Sequence, residues 1–548
     1  MNSKSRTYRI ASTVVATLAA VLATAGGASA ETYCVGKPAC TGIVKVDPQS
    51  ALTAASITPG PDRIEIGPGT FFANDGFVYV GAGATNKVEI VGAGRDETEL
   101  QGGSNVNKRP AVWLQGSAPS AISDLTIKSL GAPDPKFRTE GLRIFGAAER
   151  IGVKAGAQAT GVELLKGSTL KSSRVSLPGG FYGVLSADGE ATVIDCSIDA
   201  SNDGTAAVAS ESGTLNVSHS KLNGVTGAVA WQDGTLKIDN SLVLASDMGL
   251  SGIASQGKSS TLVATGVTVV GSDPSVVGIY SGTPAGGTTH VTIDSSAIHV
   301  SSSLQRDSIN GGDASLTIHH SAYDHASISE FGPGSIDQSQ SNLDLKSLGF
   351  VDSTADDYRL AADSPLRDVG NPNPAGGLAA TDLGGNTRSV DGNGDGIAAP
   401  DIGAYEFQPP PSPTSTPPAP TGSTTPAPAA TPSGVALAIT SASLTNRRFS
   451  IGRARTAVAA RARKRGTIFR ATLSKDASLR IGIRRTGARR KAGTLKRAAH
   501  EGLNRIAFSG RIGRRALRPG RYVATLTATD ASGKRSAPRT LRFTVLKG

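Results

Sequence analysis

Leu236-Lys237-Ile238-Asp239-Asn240-Ser241, Val291-Thr292-Ile293-Asp294-Ser295-Ser296 and Leu316-Thr317-Ile318-His319-His320-Ser321 are copies of one phrase: an apolar residue, any residue, a second small or apolar residue, then a short polar turn. Seven copies lie between Leu170 and Ser321. Their third residues, taken as Ser172, Ile194, Val217, Ile238, Ala264, Ile293 and Ile318, are spaced by 22, 23, 21, 26, 29 and 25 residues. Strand-period alternation repeated every ~20–30 residues means that each unit buries its apolar side chains only by stacking on its neighbours. The sequence therefore predicts a coil of parallel strands, with equivalent residues of successive turns about 4.8 Å apart. Ser197, Ser220, Ser241, Ser296 and Ser321 are expected to share one turn position. Another strand of each coil reads Gly183-Val184-Leu185-Ser186, Gly227-Ala228-Val229-Ala230-Trp231, Gly252-Ile253-Ala254-Ser255-Gln256 and Gly278-Ile279-Tyr280-Ser281. With glycine at the corner, Val184, Ala228, Ile253 and Ile279 point inward. Leu185, Val229, Ala254 and Tyr280, with Trp231 and Gln256, point outward.

Upstream, Val46 to Ile57 has the pattern of a short amphipathic helix, ended by Pro59-Gly60-Pro61. It runs into the alternating strand Arg63-Ile64-Glu65-Ile66, which is closed by Gly67-Pro68-Gly69-Thr70-Phe71. Here, and again at Val88-Glu89-Ile90-Val91-Gly92-Ala93-Gly94, the chain resembles the right-handed parallel β-helix proteins of the pectin-lyase-like class. The resemblance extends from about Ala51 to Phe407. Asp357-Tyr358-Arg359-Leu360-Ala361-Ala362-Asp363-Ser364-Pro365 and Asp401-Ile402-Gly403-Ala404-Tyr405-Glu406-Phe407 are similar to the closing segment of secreted bacterial members. Arg367 stands where an apolar residue is usual. The resemblance implies an all-β fold and a cap over the open end of the solenoid; lyases, hydrolases, esterases, adhesins and non-enzymes share this fold, so it implies no single activity.

The ends of the chain differ from this body. Lys4, Arg6 and Arg9, the apolar run Ile10 to Ala25, and Ala28-Ser29-Ala30 have the form of a signal peptide over residues 1–30. The expectation is a secreted protein with no transmembrane segment and no covalent anchor. Residues 408–434 hold ten prolines among 27 positions and read as an extended linker, with a reach of roughly 80 Å. Residues 435–548 alternate as β-strands, and Leu517-Arg518-Pro519-Gly520-Arg521-Tyr522 is similar to the last hairpin of small immunoglobulin-like domains, which implies a β-sandwich. This domain carries 29 Lys and Arg against Asp476, Glu501 and Asp530, net +26, whereas residues 31–434 are net −17. Its Arg484-Arg485 and Arg489-Arg490-Lys491 clusters favour anionic envelope polymers through long-range attraction. No aromatics are interleaved with them, so sequence-specific nucleic-acid binding is not expected.

Cys34 and Cys40 flank a Gly and a Pro and are expected to form a small disulfide loop in an oxidising compartment, leaving Cys196 as a packed free thiol. No acid or base set of the known β-helix lyases, hydrolases or esterases is found, so catalytic residues are unassigned. Asp391, Asn393 and Asp395, with Gly396, match the first half of a calcium loop, but Ile402 stands where its last carboxylate belongs. An Asx-Gly turn is the alternative reading of this stretch. His319, His320, Asp324 and His325 cluster, yet neighbouring strand residues face opposite sides, and a solvent-facing ladder is expected. Arg306 to Asp313 is expected to be a solvated polar loop. Trp231 and Tyr280, two coils apart with Gln256 between them, are the predicted ligand surface, suited to stacking on sugar rings. The sequence thus points to a surface-associated β-helix presenting a polysaccharide-binding wall, with the basic domain retaining it on anionic envelope polymers. The alternative is a lyase or hydrolase acting on an acidic polysaccharide.

Overall fold

In the computed structural model of the chain, the repeated phrase supplies the strands of a 14-stranded parallel sheet, and the remaining strands of each turn form a second parallel sheet of 21 strands. The described residues are 30–409 and 437–546, apart from 104–108, 131–138, 157, 178, 202–205, 272, 274, 346, 445–447, 451–465, 476, 487–490, 500–501, 513–514 and 531–533. The leader, most of the linker, and Arg489 and Arg490 lie outside them. Two units are present, up to Thr414 and from Ser415. The first is a right-handed parallel β-helix of about ten turns.

Its interior is a set of stacked columns. Ile64, Ile90, Ile122, Ala148, Leu170, Val193, Val217, Ile238, Ala264, Ile293 and Ile318 lie in register one above another. None is more than 2% exposed. The expected markers Ser172 and Ile194 therefore slip: the stack uses Leu170 and Val193 instead. Both copies lack the clean apolar pair that fixes the phase elsewhere.

Each phrase ends in a residue of left-handed conformation, with φ between +40° and +57° at Asp124, Arg150, Ser172, Asp195, His219, Asn240, Ser295 and His320. A single such residue turns the chain sharply, and Asn, Asp and His tolerate this conformation better than most. The next residue points into the turn and builds a hydroxyl ladder. Ser220 N–H donates to Ser241 Oγ at 3.1 Å, and Ser296 N–H to Ser321 Oγ at 3.0 Å. Each hydroxyl donates in turn to the carbonyl two residues back, as Ser241 does to Asp239 at 2.7 Å and Ser321 to His319 at 2.7 Å. Backbone groups buried at the corner are thereby paired without water. The member expected at Ser197 is in fact Cys196, whose N–H donates to Ser220 Oγ at 3.1 Å; Ser197 lies one place later, level with Lys221. Cys196 is buried and free, and burial pushes its thiol up to about 11.

A glycine column marks another corner. Gly141, Gly161, Gly183, Gly227, Gly249 and Gly278 occupy equivalent places, and a Cβ on Gly249 would lie 2.4 Å from both Gly278 O and Val269 Cγ1. The column passes through Gly249, not Gly252 as the sequence suggests, because Leu250 pairs with Ile279 and Ala228. Val184, Ala228 and Ile279 point inward as expected, whereas Ala254 is buried and Ile253 turns outward.

At the N-terminal end, the helix Pro48–Ile57 is capped by Asp47, whose side chain accepts from Ser50 N–H at 2.8 Å, and it buries Pro48, Ala51, Leu52 and Ala55. The Cys34–Cys40 disulfide is formed beside it. The closing segment, residues 348–407, takes another path than a plain end cap. It runs back along the flank, where Leu348, Leu360, Leu366 and Ile402 pack on Ala297 and Ala322, and Tyr358, Ala404 and Tyr405 cover Leu242 and Val270. Arg388, buried, donates to Asn240 Oδ1 from Nε at 2.8 Å and to Gly403 O at 2.6 Å. The outward apolar residues of those short strands explain the path, since they must be covered.

The second unit is a small β-sandwich-like body of antiparallel sheets of three and five strands, the latter including one parallel pairing between Arg448–Phe449 and Arg539–Val545. Phe449, Phe469, Phe508 and Phe543 pack ring against ring at its centre, and Tyr522 stacks on Phe543 at 5.5 Å. Tyr522 Oη donates to Arg518 O at 2.7 Å, which ties the last hairpin together.

Candidate functional site

The wall that follows the glycine corner turns alternate side chains away from the interior, and those from Glu163 to Tyr280 are themselves buried, Leu185, Ala209 and Val229 in a cluster with Tyr182 and Ala206. In register along it stand Trp113, Arg143, Glu163, Leu185, Ala209, Val229, Ser251, Tyr280 and Gln305. Trp231, two residues beyond Val229, shares this face. The two tryptophans of the chain are thus on one wall, five coils or about 24 Å apart along the axis.

The predicted ligand surface is partly dispersed by the structure. Trp231 is exposed, at 37%, but Tyr280 is only 9% exposed. The register explains this: Trp231 stacks over Ile253 and Gly282, one column away from Tyr280. The Tyr280 ring lies down across Gly282, where a Cβ would meet ring atoms at 2.2–2.4 Å. Its hydroxyl faces Asp307, and burial followed by the Asp307 charge raises its pKa. Gln256 sits in the exposed turn after the strand, not on the wall between the rings.

A second group on the same wall escaped the sequence reading. Arg143 lies over the Trp113 ring, 5.8 Å from its centre, and reaches Glu163 Oε1 at 3.3 Å. Glu140, near the start of the Arg143 strand, faces Glu163 within hydrogen-bonding reach. Burial, and then the Glu163 charge, pushes Glu140 up to about 7. Glu163 is raised by burial and held down by Arg143. Near pH 7 Glu140 is therefore partly protonated beside Glu163 and a guanidinium, an arrangement able to donate and accept a proton or to pair with a carboxylate. Trp113 Nε1 and Arg143 Nε find no partner among the described residues. The signal was available: Gly141-Leu142-Arg143 and Gly161-Val162-Glu163 obey the same corner rule as Gly183-Val184-Leu185.

The other candidates separate. His319 Nε2 lies 3.3 Å from Asp337 and His320 Nδ1 lies 3.8 Å from Asp294, while His325 packs on Tyr323. The histidines thus reach different partners. Arg306 is no loop residue: it is fully buried in the strand Ser302–Ser308, pairs with Glu330 at 3.2 Å and donates to the carbonyls of Gly332, Pro333 and Gly334. In the loop of Asp391, Asn393 and Asp395, the side-chain oxygens accept the loop's own N–H groups, with Asp391 taking those of Gly394, Asp395 and Gly396. Among the described residues no group of three His, Cys, Asp or Glu is placed to hold a metal ion. Arg484 and Arg485 are exposed at the end of the strand Ala477–Arg485, and the Lys491 backbone pairs with Arg484. No helix among the described residues is long and apolar enough to cross a membrane.

No protein-family profile matches the chain, and no curated protein does. Among solved structures it is similar to the pectate lyase Pel9A, at 12% identity and a TM-score of 0.41 over 70% of this chain and 98% of that one. It is also similar to the Agl-KA catalytic domain, at 13% identity and a TM-score of 0.34 over 54% of this chain and 64% of that one. A third is the A-module of the mannuronan C-5 epimerase AlgE6 of Azotobacter vinelandii, at 13% identity and a TM-score of 0.33, covering 54% and 94%. The parallel β-helix itself is read from the strand register of this chain.

Proposed function

We propose that the wall carrying Trp113 and Trp231 binds a linear acidic polysaccharide along the helix axis. The observation that carries this reading is the placing of the two tryptophans on one outward face about 24 Å apart, with Arg143 and the Glu140–Glu163 pair near one end. Aromatic faces suit sugar rings, and a guanidinium offers a fork to a uronate carboxylate. The protein is read as secreted, with its basic domain holding it to anionic envelope polymers. Binding of the full chain to acidic and neutral polysaccharides, with and without Trp113→Ala and Trp231→Ala, tests it; equal binding to both polymer classes, unaffected by either substitution, would refute it.

A second reading rests on the protonation of Glu140. Two carboxyls within hydrogen-bonding reach are closer than the ~5 Å that retaining glycoside hydrolases need. Base-driven elimination from a uronate suits the cluster better: Arg143 pairs with the sugar carboxylate, Glu163 accepts the C–H proton beside that carboxylate, the freed electron pair forms a C=C bond as the neighbouring glycosidic C–O bond breaks, and Glu140 protonates the departing oxygen. Unsaturated products from an acidic polysaccharide, lost in Glu163→Gln, would establish it.

A further inference from the structure

The basic unit has a cavity of its own. Strand Lys491–Ala499 ends the five-stranded sheet and strand Gly502–Phe508 ends the three-stranded one, and both border a cavity of about 340 Å³. That volume lies within the ~300–1,000 Å³ of small-molecule sites. Register decides what lines it. Gly493, Leu495 and Arg497 pair with Ile483, Ile481 and Leu479, all three buried, so they share the inward face of their sheet. Ile506 and Phe508 come from the other sheet. Ile512 closes the end at Gly493, where an added Cβ would meet it at 2.7 Å.

Arg497 breaks the apolar pattern. A residue in its register normally faces the core, yet here it is an exposed guanidinium, donating to Lys496 O at 3.0 Å. A charge turned inward at an edge also discourages pairing with another chain, but that role requires no cavity. Cavity and charge together make an apolar floor about 14 Å long, from Gly493 to Arg497, with a cation at one end. Phe508 is buried and offers no face to a sugar ring, while Leu495, Ile506 and Ile512 are aliphatic. The floor therefore suits a hydrocarbon chain better than a glycan. Ser509 also lines the cavity, its buried hydroxyl without a partner among the described residues. The domain sets 29 Lys and Arg against three carboxylates, and the resulting field favours an anionic head group at the mouth.

We infer that the seam between these two edge strands binds one acyl chain of an anionic envelope lipid, with the head group on Arg497. This rests on the reading of the basic domain as the module that holds the protein to the envelope, and gives that module a ligand which charge alone does not specify.

The full chain is titrated by calorimetry at constant ionic strength with monomeric decyl phosphate, ethyl phosphate and decyl maltoside, as wild type, Arg497→Gln and Leu495→Gln. Decyl phosphate should bind one site roughly a hundredfold tighter than ethyl phosphate, because only its chain covers the floor. Both variants should weaken that site at least tenfold. Arg497 is exposed, and its substitution leaves the fold intact even if Leu495→Gln does not. Equal affinity for the two phosphates, decyl maltoside binding as tightly as decyl phosphate, or superimposable isotherms for wild type and Arg497→Gln would overturn the inference. Arg497→Gln removes a single charge from the net +26, so its sedimentation with anionic vesicles at low salt should match wild type. Failure of retention by charge and failure of the seam are thereby told apart.

Discussion

Cys196 stands in place of a serine directly beside Ser220: its N–H donates to Ser220 Oγ at 3.1 Å, and its thiol points at Ile194 O at 3.2 Å, as each ladder hydroxyl points at the carbonyl two residues back. The free thiol is therefore a structural rung. Cys196→Ser should change stability by less than about 1 kcal/mol, since the hydroxyl makes the same bonds. Cys196→Leu should destabilise by about 2–3 kcal/mol through overpacking. Chemical denaturation of both variants checks this, and a Cys196→Ser loss as large as that of Cys196→Leu would contradict it.

The glycine corner gives a sharper contrast. Gly249→Ala should cost about 2–3 kcal/mol, because its Cβ meets Gly278 O and Val269 at 2.4 Å. Gly257→Ala, with φ +74° and no atom within 4 Å, should cost only about 1 kcal/mol of backbone strain. Ile238→Asp, buried in the central column, should exceed about 4 kcal/mol. Denaturation midpoints rank the three.

Much of this was legible beforehand. A period of two with one buried face determines which residues point inward at Ile238, Ile293 and Ile318, and a turn after each follows. The phase was lost where two glycines compete: Gly249-Leu250-Ser251-Gly252 permits either corner, and only the neighbouring coils decide. That slip of three residues put Gln256 on the wall; Tyr280 keeps its expected phase, but it stands two residues after its corner glycine and Trp231 four, so the two rings occupy different columns. The Glu140–Glu163 pair was hidden for another reason: its members are 23 residues apart and meet only through the stack.

Protonation of Glu140 makes stability depend on pH. Its folded pKa of about 7 lies above the ordinary 4.5, so its contribution is full below pH 4.5 and is lost as pH rises through 7. Asp401, raised to about 7 by burial and by Glu406, acts in the same direction. Stability should fall between pH 4.5 and 7, and less steeply in Glu140→Gln. An identical slope in the variant would remove Glu140 from the account.

Stacking on the wall should be measurable. The Trp113→Ala/Trp231→Ala double variant should lose about 1–3 kcal/mol of binding to an acidic oligosaccharide, by analogy with base–aromatic stacking. Each single variant should lose part of it. Retention of full affinity in the double variant would remove the rings from the binding surface.

Charge division predicts separate behaviour of the two units, each of which has its own hydrophobic core. Segment 435–548, net +26, should sediment with anionic vesicles at low salt and release as the Debye length shrinks to about 8 Å at physiological ionic strength. Segment 31–407 should stay in solution, since the body it belongs to is acidic and repels an anionic surface. Salt-indifferent binding, or equal sedimentation of both, would exclude electrostatic retention.

The closing segment changes how the solenoid comes apart. A stack held only by neighbouring turns frays from its ends, each coil peeling at the cost of one interface. Here Thr381 meets His219 across 162 residues of chain, Arg388 meets Asn240 across 148, and Asn371 meets Asp294 across 77. Coils from His219 to Asp294 are thereby buckled to a single strap, which cannot detach from one without loosening the rest. The C-terminal coils should melt as one block rather than in sequence, and a nick within the strap should convert that abrupt transition into a gradual one.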